Sequence, residues 1–141
     1  MHEKNIKTIL AILIRALQNK QLVWCLEGSA NLLLQGVEVS VQDLDITTNN
    51  EGIAQFRTAL KKYLVKDFFS EKINGHSLIC SIDGCEVEIN SYGDRKLNMF
   101  DKTEMITWNN LSVPILPLRY AKQFYESIGR EEKVALISRY L

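Results

Sequence analysis

The sequence predicts an α+β fold in a single domain. Up to about residue 64, helical and strand periodicities alternate. The middle of the chain then carries strong hairpin turns, and two helical segments close it. A length of 141 residues fits one domain, 1–141, able to bury roughly two-thirds of its unfolded surface.

In the first helix, from about Lys4 to Gln18, Ile6, Ile9, Leu10, Leu13, Ile14 and Leu17 recur at helical spacing. Asn19-Lys20-Gln21 breaks it. Leu22 to Leu26 is a short apolar run that reads as a buried strand. Gly28-Ser29 turns the chain into a short helix over Ala30 to Gln35, with Gly36 as its C-cap. A connecting segment, Val37 to Gln42, leads to a second strand, Asp43 to Thr48. Asn49-Asn50-Glu51-Gly52 starts the helix over Ile53 to Leu64.

Beyond residue 65 the period shortens. Lys66 to Lys72, Ser77 to Ile82 and Cys85 to Asn90 read as strands, joined by turns at Asn74-Gly75 and Asp83-Gly84. His76, just past the first turn, is expected to be exposed. Tyr92 to Asn110 has no clear period apart from a strand over Met105 to Trp108. Leu111 to Leu116 is extended, and its Pro114 predicts a sheet edge. Pro117 opens the first of two closing helices, Leu118 to Ser127 and Arg130 to Leu141, split at Gly129. Trp24 is read as a core residue; Trp108 is either core, the favoured reading, or a base-stacking surface.

Composition excludes several classes. Apolar residues make up 46% and charged residues 24%, and lysine plus arginine equals aspartate plus glutamate at 17 each. A net charge of zero argues against non-specific nucleic-acid binding through bulk charge. Cys25, Cys80 and Cys85 form neither a disulfide framework nor a zinc pattern, and Cys25 and Cys80 read as buried small hydrophobes. There is no membrane-length apolar run and no signal-peptide layout, so a reducing cytoplasm and no membrane partner are expected.

The chemistry lies in the acids. Asp43 and Asp45 flank Leu44, with Ile46 after them. On a strand, side chains two apart share a face, so two carboxylates converge while Leu44 and Ile46 enter a core. Like charges in that position raise one another's pKa, and a hard divalent cation such as Mg²⁺ relieves the conflict. Gly28-Ser29 before a short helix lets a phosphate approach backbone N–H groups. A third acid is expected on a neighbouring strand. Glu86 and Glu88 both qualify by face; the apolar flanks Val87 and Ile89 favour Glu88, and a solvated acidic hairpin face is the alternative.

Leu26-Glu27-Gly28-Ser29, then Asp43-Leu44-Asp45-Ile46, then Val87-Glu88-Ile89 resembles the minimal nucleotidyltransferase superfamily, the DNA polymerase beta-like fold. The resemblance runs from Leu22 to near the C-terminus. It is nearest in flavour to the small stand-alone bacterial and archaeal members, which include lincosamide-type antibiotic transferases and toxin-type transferases of abortive-infection systems. It implies a mixed central sheet flanked by helices, with two C-terminal helices. It also implies a triphosphate held at Gly28 and Ser29, and two Mg²⁺ ions, with Mn²⁺ as a substitute, on Asp43, Asp45 and Glu88. Lys122, Arg130 and Lys133 match the family's cations on the closing helices; the alternative for each is a solvated helix charge.

The implied activity moves a nucleoside monophosphate from a nucleoside triphosphate, ATP included, to a hydroxyl acceptor, with release of pyrophosphate. The acceptor is a small molecule, a tRNA or a protein. Ser40-Val41-Gln42 stands where lincosamide-type members carry a basic residue, which weakens an antibiotic assignment. Tyr92 or Arg95 is a candidate for shaping the acceptor pocket. No separate acceptor domain is seen, so either the acceptor is expected to be large, or a second subunit, in a homodimer or from a partner protein, is expected to complete the pocket. A non-catalytic antitoxin or regulatory nucleotide-binding module of the same fold is the competing reading, and a chance motif on an unrelated α+β protein is the third.

Overall fold

The computed structural model describes residues 1–93 and 97–141. Its elements are α1 (Glu3–Ala16), β1 (Trp24–Glu27), α2 (Gly28–Leu34), β2 (Leu44–Thr48), α3 (Asn50–Ala59), β3 (Leu64–Ser70), β4 (Gly75–Ile82), β5 (Cys85–Ser91), β6 (Glu104–Trp108), β7 (Leu111–Ile115), α4 (Leu118–Ser127) and α5 (Glu131–Ser138). The strands form one mixed sheet in the order β3-β4-β5-β2-β1-β7-β6. The mixed central sheet, the flanking helices and the two C-terminal helices are as expected above.

Strand alternation sorts the two faces of the sheet. Leu26, Leu44, Ile46, Leu78, Cys80, Val87 and Ile89 point to one face and pack with Ile6, Ile9, Leu10 and Leu13 of α1 and Ile53 and Phe56 of α3. Each such burial is worth roughly 1.5–3 kcal/mol. Trp24 is half-buried at this core's edge, its ring edge-on to Phe56 at 6.2 Å, and Trp108 is half-buried against the same core. Cys25 and Cys80 are buried.

The opposite face is covered unevenly. A second cluster, with Cys25, Leu32, Leu116, Ala121, Phe124, Tyr125 and Ile137, packs α2, α4 and α5 together at the β1–β7 end. Asn31 ties this end shut: its amide donates to the Leu116 carbonyl at 2.9 Å and accepts from the Leu116 N–H at 3.1 Å. Towards β2 and β5, residues of alternate phase (Asp45, Thr47, Glu88, Asn90) line a cavity instead of a helix interface.

Four local expectations change. The helix expected over Ile53 to Leu64 ends at Ala59, because Leu64 is already paired with Cys80 as the start of β3. Asn74-Gly75 is not a two-residue turn. β3 ends at Ser70, and Gly75 belongs to β4, where an added Cβ would collide with the Ser91 carbonyl, so a close backbone approach explains the glycine. The Asp83-Gly84 turn is as expected, with φ of 54° and 75° as a type I′ turn requires.

Pro114 is not on an edge strand: β7 lies between β1 and β6. The two-residue link at Asn109-Asn110 makes Trp108 and Leu111 a hydrogen-bonded pair, so by alternation the Pro114 nitrogen faces β1. There β1 pairs with β7 only at Leu26 and Ile115, and the ladder asks no donor of Pro114. His76, finally, is not free in solvent. It is half-buried, paired with the Asp67 carboxylate and 3.3 Å from Arg57 Nη2.

Candidate active site

Sheet register assembles the acids. Asp45 in β2 lies beside Glu88 in the parallel neighbour β5 and opposite Glu27 in the antiparallel neighbour β1. Asp43 stands one residue before β2. One carboxylate oxygen from each of Asp43, Asp45 and Glu88 lies within 4.8 Å of the other two, and all three residues are half-buried. Glu86, on the same face of β5, is exposed and outside this group.

The electrostatics are those of like charges crowded together. Burial pushes the Asp45 carboxyl up to about 7; the charges of Asp43, Glu88 and Glu86 push the same way, and Lys133 pulls back. Three carboxylates at this separation offer an all-oxygen donor set of the kind hard divalent cations take, with room for further ligands. The residues therefore fit the metal that the sequence implies.

Gly28 starts α2 directly beneath this group. Its φ is +67°, a left-handed conformation that a Cβ disfavours, and an added Cβ would collide with Asp45 Oδ2. Ser29 follows, and its hydroxyl accepts a hydrogen bond from Lys133 Nζ of α5 at 3.1 Å. Arg130 lines the acidic cavity from the N-terminal end of α5, with its Nε donating to Glu132 at 2.6 Å. Lys122 is half-buried on α4 and does not line that cavity. Tyr92 does line it; Arg95 lies outside the described residues.

The cavity measures about 680 Å³. Its walls combine the acids with Phe68 on β3 and with Phe124 and Tyr125 on α4. Burial is the first cause raising both tyrosines, and the charges of Glu27 and Asp45 add to it; Tyr125 is pushed up to about 12. Sequence reasoning missed Glu27 as a site residue. It is 6% exposed, and burial pushes its carboxyl up to about 7, with the Thr47 hydroxyl opposing and the Asp45 charge reinforcing. An acid directly before Gly28-Ser29, on the end of a strand, was the available signal.

A model of the aminoglycoside-2''-adenylyltransferase family matches residues 8–137. The chain belongs to this family. It is a nucleotidyltransferase. Its fold is similar to that of a Thermotoga maritima protein solved as a candidate nucleotidyltransferase, at 26% identity and a TM-score of 0.79 over 99% of this chain and 94% of that one. The lincomycin-bound lincosamide antibiotic adenylyltransferase LnuA matches at 11% identity and a TM-score of 0.65, covering 98% and 97%. The antibiotic-resistance factor ANT(2'')-Ia, in complex with adenylyl-2''-tobramycin, matches at 7% and 0.62, covering 94% and 87%. No curated protein sequence matches the transferase. Among the described residues no helix is long and apolar enough to cross a membrane.

Proposed function

We propose that the transferase moves a nucleoside monophosphate from a nucleoside triphosphate to a hydroxyl of a small-molecule acceptor and releases pyrophosphate. The observation that carries this reading is the meeting of Asp43, Asp45 and Glu88 beside Gly28 and Ser29. A cavity of about 680 Å³ is of the size that small organic ligands fill, which favours such an acceptor over a tRNA or a protein. The relatives' antibiotic acceptors, lincomycin and tobramycin, point the same way.

In this reading the backbone at Gly28 and the Ser29 hydroxyl receive the triphosphate, with Lys133, which donates to that hydroxyl, and Arg130 opposing its charge. Asp43, Asp45 and Glu88 would hold two Mg²⁺ ions, which supply Lewis-acid stabilisation of the charge on the transferring group. Glu88 takes the proton of the acceptor hydroxyl. The acceptor oxygen bonds to the α-phosphorus as the bond from that phosphorus to the bridging oxygen breaks, and pyrophosphate leaves. Phe68, Tyr92 and Tyr125 wall the cavity beside the acids, where an acceptor would sit. The free thiols and nucleotide donor suit the cytoplasm.

The test is a transfer assay with labelled ATP, CTP, GTP and UTP against hydroxylated small molecules, including aminoglycosides and lincosamides. Parent protein is expected to label an acceptor and the Asp43→Asn variant to fail while keeping its fold by circular dichroism. Equal labelling by the two proteins would sink the reading.

A further inference from the structure

We propose that Asn90 and Ser77 are positioning residues for Glu88: a two-link hydrogen-bond relay that fixes which oxygen of that carboxylate is offered to a divalent cation. The proposal rests on the reading of Glu88 as a metal ligand.

The relay is built across the β4–β5 ladder. Ser77 and Asn90 are a directly opposed pair, and Asn90 follows Glu88 by two residues, so all three side chains share the cavity face. The Ser77 hydroxyl donates to Asn90 Oδ1 at 2.6 Å. Asn90 Nδ2 donates to Glu88 Oε1 at 3.4 Å. Ser77 and Asn90 are only 2% and 8% exposed, although both line the cavity. Burying polar side chains has a cost unless their hydrogen bonds are made, and these two make them with each other and with Glu88.

Chemistry alone sets the direction of the relay. An ionised carboxylate only accepts, so the amide must turn its NH₂ to Glu88 and its oxygen away. The Ser77 hydroxyl meets that oxygen and locks the amide plane. Asp45 gains no such help, since its neighbours across the ladders are the acids Glu88 and Glu27. A donor on Oε1 leaves Oε2 as the free oxygen, and holds the side chain in one rotamer beside Asp45. Hydrogen-bonding partners that orient a metal ligand in this way typically matter tenfold to a hundredfold in metal affinity.

Binding of Mn²⁺ alone, read by electron paramagnetic resonance without nucleotide, tests this independently of activity. Asn90→Ala is expected to weaken Mn²⁺ about 10–100-fold. In the double variant with Glu88→Gln, Asn90→Ala is expected to add no further loss, because it acts only through that carboxylate. Ser77→Thr keeps the hydroxyl and Ser77→Val has the same shape without it. The first is expected to bind several-fold tighter than the second, and this comparison stands even where Asn90→Ala loses its fold. If Glu88→Gln binds like the parent, the metal-ligand reading of Glu88 itself fails. If Glu88→Gln weakens binding while Asn90→Ala does not, or the two losses add in full, or the Thr and Val variants bind alike, the relay is overturned and the reading of Glu88 stands.

Discussion

Two groups of charged side chains sit on the same sheet and treat an aspartate in opposite ways. On the β3–β4 edge, Asp67 receives Arg57 Nε at 2.6 Å and Arg57 Nη2 at 3.2 Å, with His76 alongside. The Arg57 hydrogen bonds, then His76, hold its carboxyl down at about 2. At the sheet centre Asp45 has acids on both flanking strands and is pushed up to about 7. The first arrangement is complete as it stands and serves the fold. The second leaves like charges unrelieved, an arrangement found at functional sites more often than in parts that only hold a fold together.

Asp45→Asn should break this contrast most sharply. Removing the central carboxylate is expected to lower transfer by about 10³-fold or more, from the several kcal/mol such charge stabilisation supplies. The same change removes a like-charge conflict, so the metal-free fold should melt higher than the parent at pH 8. A transfer assay and a melting curve on one preparation read both signs. A variant that is inactive and also less stable would mean that Asp45 is held for packing.

Gly28→Ala comes next. A methyl at a φ of +67° collides with Asp45 Oδ2 and strains the backbone by roughly 1–2 kcal/mol. Displacing Asp45 by even about 1 Å can cost on the order of 10²-fold in rate. Transfer should fall further than stability does. Near-parent activity would show that the loop and the acid do not need their present approach.

How much of this was legible beforehand follows the same division. Asp43, Asp45 and the Gly28-Ser29 turn were readable because their meaning is local: one apolar residue between two acids, two small residues before a helix. Glu88 needed one more step, since only its apolar flanks separated it from Glu86, and the parallel register of Asp45 with Glu88 brings it into the site. Glu27 carried a weaker local signal, its place directly before Gly28-Ser29, while the Ser77–Asn90 pair depends wholly on a cross-strand pairing that no periodicity reveals. The fold divides likewise. The apolar stripe of α1 announces a helix, whereas Pro114 in an interior strand requires knowing that β1 stops pairing beside it. His76 sat beside an apparent turn, and its partners Arg57 and Asp67 come from another helix and strand.

A smaller effect sharpens the comparison through pH. Asp45 and Glu27 both have folded-state values of about 7, above the roughly 4 of an unfolded carboxylate. Between those values the folded state binds more protons than the unfolded one, so stability falls as pH rises. Metal-free protein should therefore melt lower at pH 8 than at pH 5. Millimolar Mg²⁺ should remove most of that loss at pH 8 and do little at pH 5, where protons already relieve the conflict. A melting temperature that rises with pH across this window, without metal, would contradict the assignment of strain to these two acids.

Asp67→Asn should give the smallest change, and with a different pH signature. The pair is partly open to solvent, with the Asp67 and Arg57 side chains 30% and 40% exposed, so screening holds its worth to under about 1 kcal/mol. Because the folded value lies below the unfolded one, that stability is present above about pH 4 and disappears as pH falls towards 2. Parent and variant should thus converge in acid denaturation near pH 2 and separate slightly at neutral pH, with transfer unchanged. A loss of transfer in this variant would tie the sheet edge to the site, through Phe68, which follows Asp67 on β3 and lines the cavity. Equal stability at pH 7 would mean that solvent serves Asp67 as well as Arg57 does.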